Sequence, residues 1–346
     1  MASQITQLQK KAAERQDVIG LAGGLPADAL LPRDEVGRAF AEVTASREDA
    51  LQYGWPEGIE QVRTWIVARL AKRGAEVDAD RVIITAGAQQ ALSIAGTILK
   101  GRSIAVGDAT YPGALDAFRR AGARPTAHDG DVAYVMPGVA NPIGRALPIE
   151  AARVSIADEA YTELRFDGQV PRPLIADAPG TWHVGTTSKT IAPGLRVGWL
   201  IPPSKHHDEA LEIKSATDLQ TASITQAALG RLLQQLDYDA LVARARAEYA
   251  RRADVLVTAL RAHVPVTFEE PEGGFSIWAK TDVAGDEVAF LQAAFDEGVM
   301  VDPGSLFQVE PGETIAMRLS FSSTPLDRID EGARRLGRAL DRFRRQ

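Results

Sequence analysis

The chain has 346 residues, 45% hydrophobic and 25% charged, the proportions of an ordinary globular protein with enough length for about two domains. Its formal charge of −7 argues against a general nucleic-acid-binding surface, and the lack of any cysteine excludes disulfides, a thiolate nucleophile and thiolate-held metal. The opening MASQITQLQKKAAERQ has no apolar centre of the signal-peptide kind and nothing downstream reaches the length of a membrane span, so a cytoplasmic protein without membrane association is expected.

Residues 1–35 are too few for a domain and are expected to pack against the rest. From residue 58 helix and strand alternate. GIEQVRTWIVARLAKRG places Ile59, Val62, Ile66 and Leu70 on one helical stripe. RVIIT reads as a short buried strand, and AQQALSIAGTILK as a helix entered through a glycine turn. SIAVG, AYVMP, RVSIAD and VGWLIP follow as further strands, which together imply an α/β fold with a mostly parallel sheet covered by helices on both faces. After residue 200 come helical segments, including the long DALVARARAEYARRADVLVTALRAH, then VTFEEPEGGFSIWAK, a helix, VMVDPG, IAMRLSF and a last helix. The arginines of that last helix, RIDEGARRLGRALDRFRRQ, read as a solvated face rather than a nucleic-acid surface. A large domain over 36–245 and a smaller α+β domain formed by 1–35 with 246–346 are expected. The five histidines are scattered without ligand spacing, and His206 and His207 in the polar SKHHDEA read as surface residues, so no metal site is expected.

Several polar residues fall at strand ends, where open α/β sheets place ligands. Gly87 in TAGAQQA sits at a strand-to-helix entry suited to an anion such as phosphate, although a purely structural glycine fits the same position. Asp158 and Tyr161 follow the strand RVSI in ADEAYTEL, and Asp158 could equally be a cap. Asn141 lies between turn-forming residues in PGVANPIG, where a simple turn asparagine is the competing reading. Lys189 follows the strand TWHVG, and the Pro193-Gly194 turn returns Arg196 towards it; with Thr186 and Ser188 these groups suit a dianionic phosphate. Strand alternation puts Arg318 and Ser320 of MRLSF on one face, as a ligand-facing arginine or a structural ion pair.

Taken in order, these segments resemble the fold-type I pyridoxal-phosphate enzymes, specifically the class I/II aminotransferases and their 2-aminoadipate/kynurenine aminotransferase-like branch. GLAGGLP, LQYGWPEG, ITAGAQQAL, DATYPGA, PGVANPIG, ADEAYTEL, TTSKTIAPGLRVGWL, EGGFSIW, VDPGSLF and MRLSFSS carry the resemblance across nearly the whole chain, and S-K-x-x-x-P-G-L-R-x-G is its most specific part. The resemblance implies pyridoxal 5′-phosphate as cofactor and residues 36–245 as the domain that binds it. It implies that Lys189 bonds to the cofactor and shuttles the substrate proton, that Asp158 pairs with the pyridine nitrogen, and that Tyr161 and Asn141 meet the phenolic oxygen. It places Tyr111 on the ring face, Gly87, Ala88 and Gln89 in a phosphate cradle with Thr186, Ser188 and Arg196, and Arg318 on the substrate α-carboxylate, with Asn141 and the backbone of Gly24 beside the substrate. Tyr53 corresponds to a tyrosine that reaches the neighbouring subunit's phosphate, which implies a homodimer with shared active sites. The activity implied is transfer of an amino group between an L-amino acid and a 2-oxo acid by a ping-pong mechanism, in amino acid metabolism. Elimination, decarboxylation or oxidation of an amino acid on the same cofactor is the alternative. An aminotransferase-like sensor domain is a third reading, set against by the roughly 20 residues before GLAGGLP, where such domains follow a winged helix of about 70.

Two connections are short for this family. Only PIGRALPIEAARVSIA stands between Asn141 and Asp158, and only DGD between RAGARPTAH and VAYVMP. Parallel crossovers need about a dozen residues, so the sheet edge near 124–130 is expected to be abbreviated or lost, with one or two outer helices missing. Relatives acting on long dicarboxylic substrates carry S-x-I-R near the N-terminus. Here SQITQLQKKA has Thr6 at the matching place, which weakens selectivity for a distal carboxylate unless Lys10, Lys11 or Arg15 substitutes.

Overall fold

Two sheets organise the chain in a computed structural model that describes residues 2–149 and 155–345. Helix α1 (Ala2–Glu14), strand β1 (Ile19–Leu21) and helices α2 (Arg33–Ser46) and α3 (Glu60–Ala71) come first. The apolar stripe of α3 is buried at Val62, Ile66 and Leu70. The larger sheet follows: β2 (Ile83–Thr85), α4 (Ala88–Ile98), β3 (Ser103–Ala105), α5 (Pro112–Ala121), β4 (Arg124–Thr126), β5 (Val132–Val135), β6 (Ser155–Asp158), β7 (Trp182–Thr186) and β8 (Gly198–Ile201).

Its strand order is β2-β8-β7-β6-β5-β3-β4. All neighbours are parallel except those of β8, which runs antiparallel to both β2 and β7. Strands β2, β6 and β7 are buried at every position, as expected where helices cover both faces of a sheet. On one face Phe118 of α5 is wholly buried, its ring edge-on to Tyr134 of β5 with centroids 5.5 Å apart. Burying such a ring contributes about 2–3 kcal/mol.

The expected shortening is present in a milder form. The edge strand β4 survives at three residues, so the sheet keeps seven strands. The chain crosses from β4 over β3 to β5 in residues 127–131 with no helix, which the length argument had excluded. The crossover closes because the strands it joins are so short that little length is needed to return. Gly130 passes so close to β3 that a Cβ there would lie 2.5 Å from the Ala105 nitrogen. Among the described residues between β5 and β6 no helix occurs either.

Helices α6 (His207–Asp218), α7 (Ser223–Gln235) and α8 (Tyr238–His263) lead to the second sheet, made by β9 (Thr267–Phe268), β10 (Ser276–Ala284), β11 (Val299–Pro303) and β12 (Thr314–Ser320), with α9 (Glu287–Asp296) before β11 and α10 (Ile329–Arg344) last. Its order is β1-β11-β12-β10-β9, and β1 pairs in parallel with β11. The N-terminal segment thereby joins the C-terminal sheet. Helix α10 buries Ile329, Ala333, Leu336 and Leu340 and turns Arg334, Arg338 and Arg342 to acidic partners on the surface, the solvated face expected. His206 and His207 are half-buried rather than exposed, His206 being stacked on Trp182 with centroids 5.2 Å apart. Among the described residues no helix is long and apolar enough to cross a membrane, and no cluster of side chains is placed to hold a metal.

Candidate active site

The C-terminal ends of β2, β6 and β7 open on one cleft. At the first, Gly87 turns the chain from β2 into α4 with φ 84° and ψ 170°, a region open almost only to glycine. The first N–H groups of α4, on Ala88 and Gln89, have no acceptor within the helix and carry the positive end of its dipole. The Gln89 side chain is itself held: its Nε2 donates to the Gly113 carbonyl at 2.6 Å, and the Tyr111 hydroxyl donates to its Oε1 at 3.3 Å. Arg196 returns to this point from the Pro193–Leu195 turn in a left-handed conformation, φ 53°. Its guanidinium donates to the carbonyls of Ala86 at 3.0 Å and Pro193 at 3.3 Å. A Cβ on Gly87 would stand 2.6 Å from Nη2 of Arg196, so the turn leaves room for the guanidinium only because it is glycine.

Thr186 and Ser188 play unequal parts. The Thr186 hydroxyl lies 2.9 Å from the Val197 carbonyl and 3.0 Å from Ser188 Oγ, and it accepts the Ser188 N–H at 3.1 Å. Its single proton is used inside the protein. Ser188 remains the hydroxyl able to donate to a ligand, with Thr186 holding it in place.

Lys189 follows directly. Its Nζ donates to the Gly24 carbonyl at 2.7 Å and lies 5.4 Å from the Tyr161 ring centre and 5.8 Å from that of Phe275. Burial, and then the cation of Arg318, push its pKa down to about 8. Asp158, at the end of β6, is buried; it accepts the Tyr134 hydroxyl at 2.8 Å and the Ala160 N–H at 3.1 Å. Burial raises its pKa, opposed by those two hydrogen bonds. Burial also raises the phenols of Tyr161 and Tyr111, the latter to about 12, so both are protonated hydrogen-bond donors at neutral pH. Arg318 reaches in from β12, where its Nη1 donates to Asn141 Oδ1 at 3.1 Å. Gly24 faces the same guanidinium: a Cβ on it would stand 3.4 Å from Nη1, 3.8 Å from Nη2 and 3.4 Å from the Tyr161 hydroxyl.

The cleft has a cavity volume of about 120 Å³, and its walls include Ala88, Gln89, Tyr111, Asn141, Asp158, Tyr161, Thr186, Ser188, Lys189 and Arg196. Ten residues singled out in the sequence thus share one cavity, with Gly87, Gly24 and Arg318 at its margin. Tyr53 does not join them; it is 80% exposed and outside the lining. Sequence reasoning missed Tyr134, read only as part of an apolar strand, and Asp302, which pairs with Arg318 at 2.7 Å. A buried acid in VDPG, one residue before a proline, was the available signal for the second.

Residues 16–128 and 138–336 match the class I and II aminotransferases, and the chain belongs to that family. The break in the match, residues 129–137, takes in the end of the abbreviated crossover and strand β5. It is a fold-type I aminotransferase, an enzyme class whose cofactor is pyridoxal 5′-phosphate. Among relatives, the chain is similar to the 2-aminoadipate transaminase of Thermus thermophilus (30% identical, covering 98% of this chain and 94% of that one). It is similar also to aromatic-amino-acid aminotransferase 1 of Thermococcus litoralis (31% identical, covering 98% and 91%). Among solved structures, the Pyrococcus horikoshii kynurenine aminotransferase in complex with PMP superposes with a TM-score of 0.90 at 27% identity, covering 98% of this chain and 94% of that one. The cleft fits such a cofactor: Gly87 and Arg196 form an anion cradle that a Cβ would fill, a buried carboxylate faces the cavity, and an amine inclined to lose its proton lies on its wall.

Proposed function

We propose that this aminotransferase exchanges the amino group of an L-amino acid with a 2-oxo acid in two half-reactions of a ping-pong course. The observation that carries this reading is the convergence of Lys189, Asp158 and Arg318 on one cleft: a poised amine, a buried acid and a carboxylate-binding guanidinium. When bound, pyridoxal phosphate supplies a carbonyl that bonds to amines and an electron-accepting ring.

The residues divide the work. The N–H groups of Ala88 and Gln89 with Ser188 and Arg196 hold the phosphate, charge-assisted bonds of the stronger kind. Asp158, buried on the cleft wall, would pair with the ring nitrogen and keep it protonated. Tyr161 and Asn141 would hold the phenolic oxygen, and Tyr111 would lie against the ring. Lys189 would be the base that takes and returns the proton of the substrate α-carbon, a task suited to an amine with a pKa of about 8. Arg318 grips the α-carboxylate as a planar fork, beside Gly24 and Asn141.

The two separate sheets support a division into a larger domain over 36–245 and a smaller one from 1–35 and 246–346. A homodimer is supported by the exposed run of Leu51 (73%), Tyr53 (80%) and Trp55 (76%), an apolar patch that a second copy would cover. Light scattering should then read twice 37.1 kDa.

The test is a scan of amino acids against the holoenzyme, following conversion of the bound cofactor to its amine form, with and without a 2-oxo acid. Parallel double-reciprocal lines and strict need for the oxo acid are expected. Ammonia, or keto product beyond one equivalent per active site, formed in its absence overturns transamination in favour of another reaction type. Substantial transfer by Lys189→Ala removes the role given to that residue.

A further inference from the structure

Arg318 is held on three sides before any substrate arrives. Its Nε and Nη2 donate to Asp302 Oδ2 at 3.1 and 2.7 Å, its Nη1 donates to Asn141, and its guanidinium carbon lies 4.7 Å from the centre of the Phe307 ring. Phe307 is in turn packed on Trp278, with centroids 5.7 Å apart. Asp302 is 4% exposed, and its carboxylate gathers more than the arginine. The Gly23 N–H donates to Oδ2 at 2.7 Å, and Gln9 Nε2 donates to Oδ1 at 3.2 Å. One carboxylate on β11 therefore ties together β12, the Gly23–Gly24 backbone and helix α1.

A guanidinium has five N–H donors, one on Nε and two on each terminal nitrogen. Asp302 and Asn141 occupy three, leaving one hydrogen on each of Nη1 and Nη2. Those two nitrogens are the ones turned toward Gly24, 3.4 and 3.8 Å from where a Cβ on it would stand. We propose that Asp302 is a positioning residue which aims this remaining fork of Arg318 and sets the strength with which the site holds carboxylates. It rests on the reading of Arg318 as the group that binds the substrate α-carboxylate.

The charge has a consequence of its own. An incoming carboxylate meets a guanidinium already half neutralised by a buried anion on its far edge, so Asp302 fixes geometry while weakening affinity. Such an arrangement lets product leave as readily as substrate enters. Both half-reactions need that, because each ends with release of a carboxylate product.

The experiment separates charge from aim. Asp302→Asn keeps an oxygen acceptor for Arg318 and Gly23 and removes the charge; Asp302→Ala removes both. In the holoenzyme, calorimetric titration with 3-phenylpropionate, a carboxylate that cannot react, should show Asp302→Asn binding about tenfold tighter than wild type, with KM for the oxo acid falling by a similar factor. Asp302→Ala should lose about a hundredfold in kcat/KM, the cost of a carboxylate misplaced by about 1 Å. Melting curves of both variants show which are folded, and if the alanine variant is not, the asparagine variant decides. Asp302→Asn binding 3-phenylpropionate no tighter than wild type overturns the proposal. A wild-type enzyme that binds 3-phenylpropionate with this Asp302 dependence but transfers no amino group sinks the transaminase reading instead and leaves the role of Asp302 standing.

Discussion

Replacing Gly87 by alanine tests the anion cradle at its tightest point. Two effects follow from the geometry, and they fall on different measurements. The backbone at φ 84° and ψ 170° is strained for any residue with a Cβ, at a cost of about 1–3 kcal/mol to stability. The new methyl would also stand 2.6 Å from Nη2 and 3.1 Å from the central carbon of the Arg196 guanidinium. All three nearest atoms belong to the Arg196 guanidinium, so it is Arg196 that must move, out of the cleft. It would then lose its charge-assisted bonds to the phosphate, about 1.5–3 kcal/mol, or roughly 10- to 150-fold in cofactor affinity. Thermal unfolding of the cofactor-free protein reads the first effect; equilibrium dialysis with pyridoxal phosphate reads the second. The control is Arg196→Gln in the glycine background, which should lose the affinity without the strain. A Gly87→Ala protein that melts lower but binds pyridoxal phosphate as tightly as wild type refutes the cradle and leaves only a structural glycine.

Three other outcomes are expected. Capture of pyridoxal phosphate by the cofactor-free protein requires the neutral Lys189 amine, so its rate should fall about tenfold per pH unit below the pKa of about 8; Arg318→Gln removes a cation that lowers this pKa, so it moves the midpoint up, and a rate flat across the neutral range would contradict the assignment. Tyr134→Phe deletes the 2.8 Å hydrogen bond to Asp158 and lets its pKa rise further, so kcat should fall about tenfold or more with the cofactor still bound; wild-type kcat would show that Tyr134 only packs. His183 is 1% exposed, neither ring nitrogen is hydrogen-bonded among the described residues, and burial holds its pKa below the ordinary 6.5. The unfolded chain then takes up a proton below 6.5 that the folded one refuses, so stability is lost as pH falls, by up to about 1.4 kcal/mol per unit. Urea unfolding at neutral and mildly acid pH should show this slope in wild type and a shallower one in His183→Leu; equal slopes would mean that His183 charges freely in the fold.

How much of this was legible in the sequence depended on range. Lys189 and Arg196 are seven residues apart with a Pro-Gly turn between them, so their convergence is a local property that the chain spells out. Asp158 and Gly87 were placed by the general habit of parallel sheets to gather ligands at strand ends. Tyr134 and Asp302 were not legible because their significance is tertiary. Tyr134 pairs in register with Ile156, two residues before Asp158, and its hydroxyl reaches the acid from the neighbouring strand. Asp302 faces Arg318 through the antiparallel pairing of β11 with β12. No spacing in the sequence announces either pairing. The crossover at 127–131 was misjudged because the rule for its length assumes strands of ordinary extent, and these are three or four residues long.

That crossover also shows how the site tolerates a reduced sheet. Strand β5 must stay in register, because it carries Tyr134 to Asp158 and leads into the turn that presents Asn141. A packed helix over the crossover would be the usual way to steady such a strand. Here the connection is clamped instead: Asp131, just before β5, accepts the N–H and hydroxyl of Ser103 at 2.9 Å each, and its own N–H donates back to Ser103 Oγ at 3.0 Å. Ser103 begins β3, the neighbour of β5, so the clamp fixes the two strands directly against each other where the helix is missing. The carboxylate of Asp131 is held below its ordinary pKa chiefly by the Ser103 N–H, so it stays an acceptor through the neutral range. The edge β4 lies beyond β3 and touches neither Tyr134 nor Asp158. At this crossover a hydrogen-bonded clamp of two polar residues does locally what a buried apolar helix would do by area.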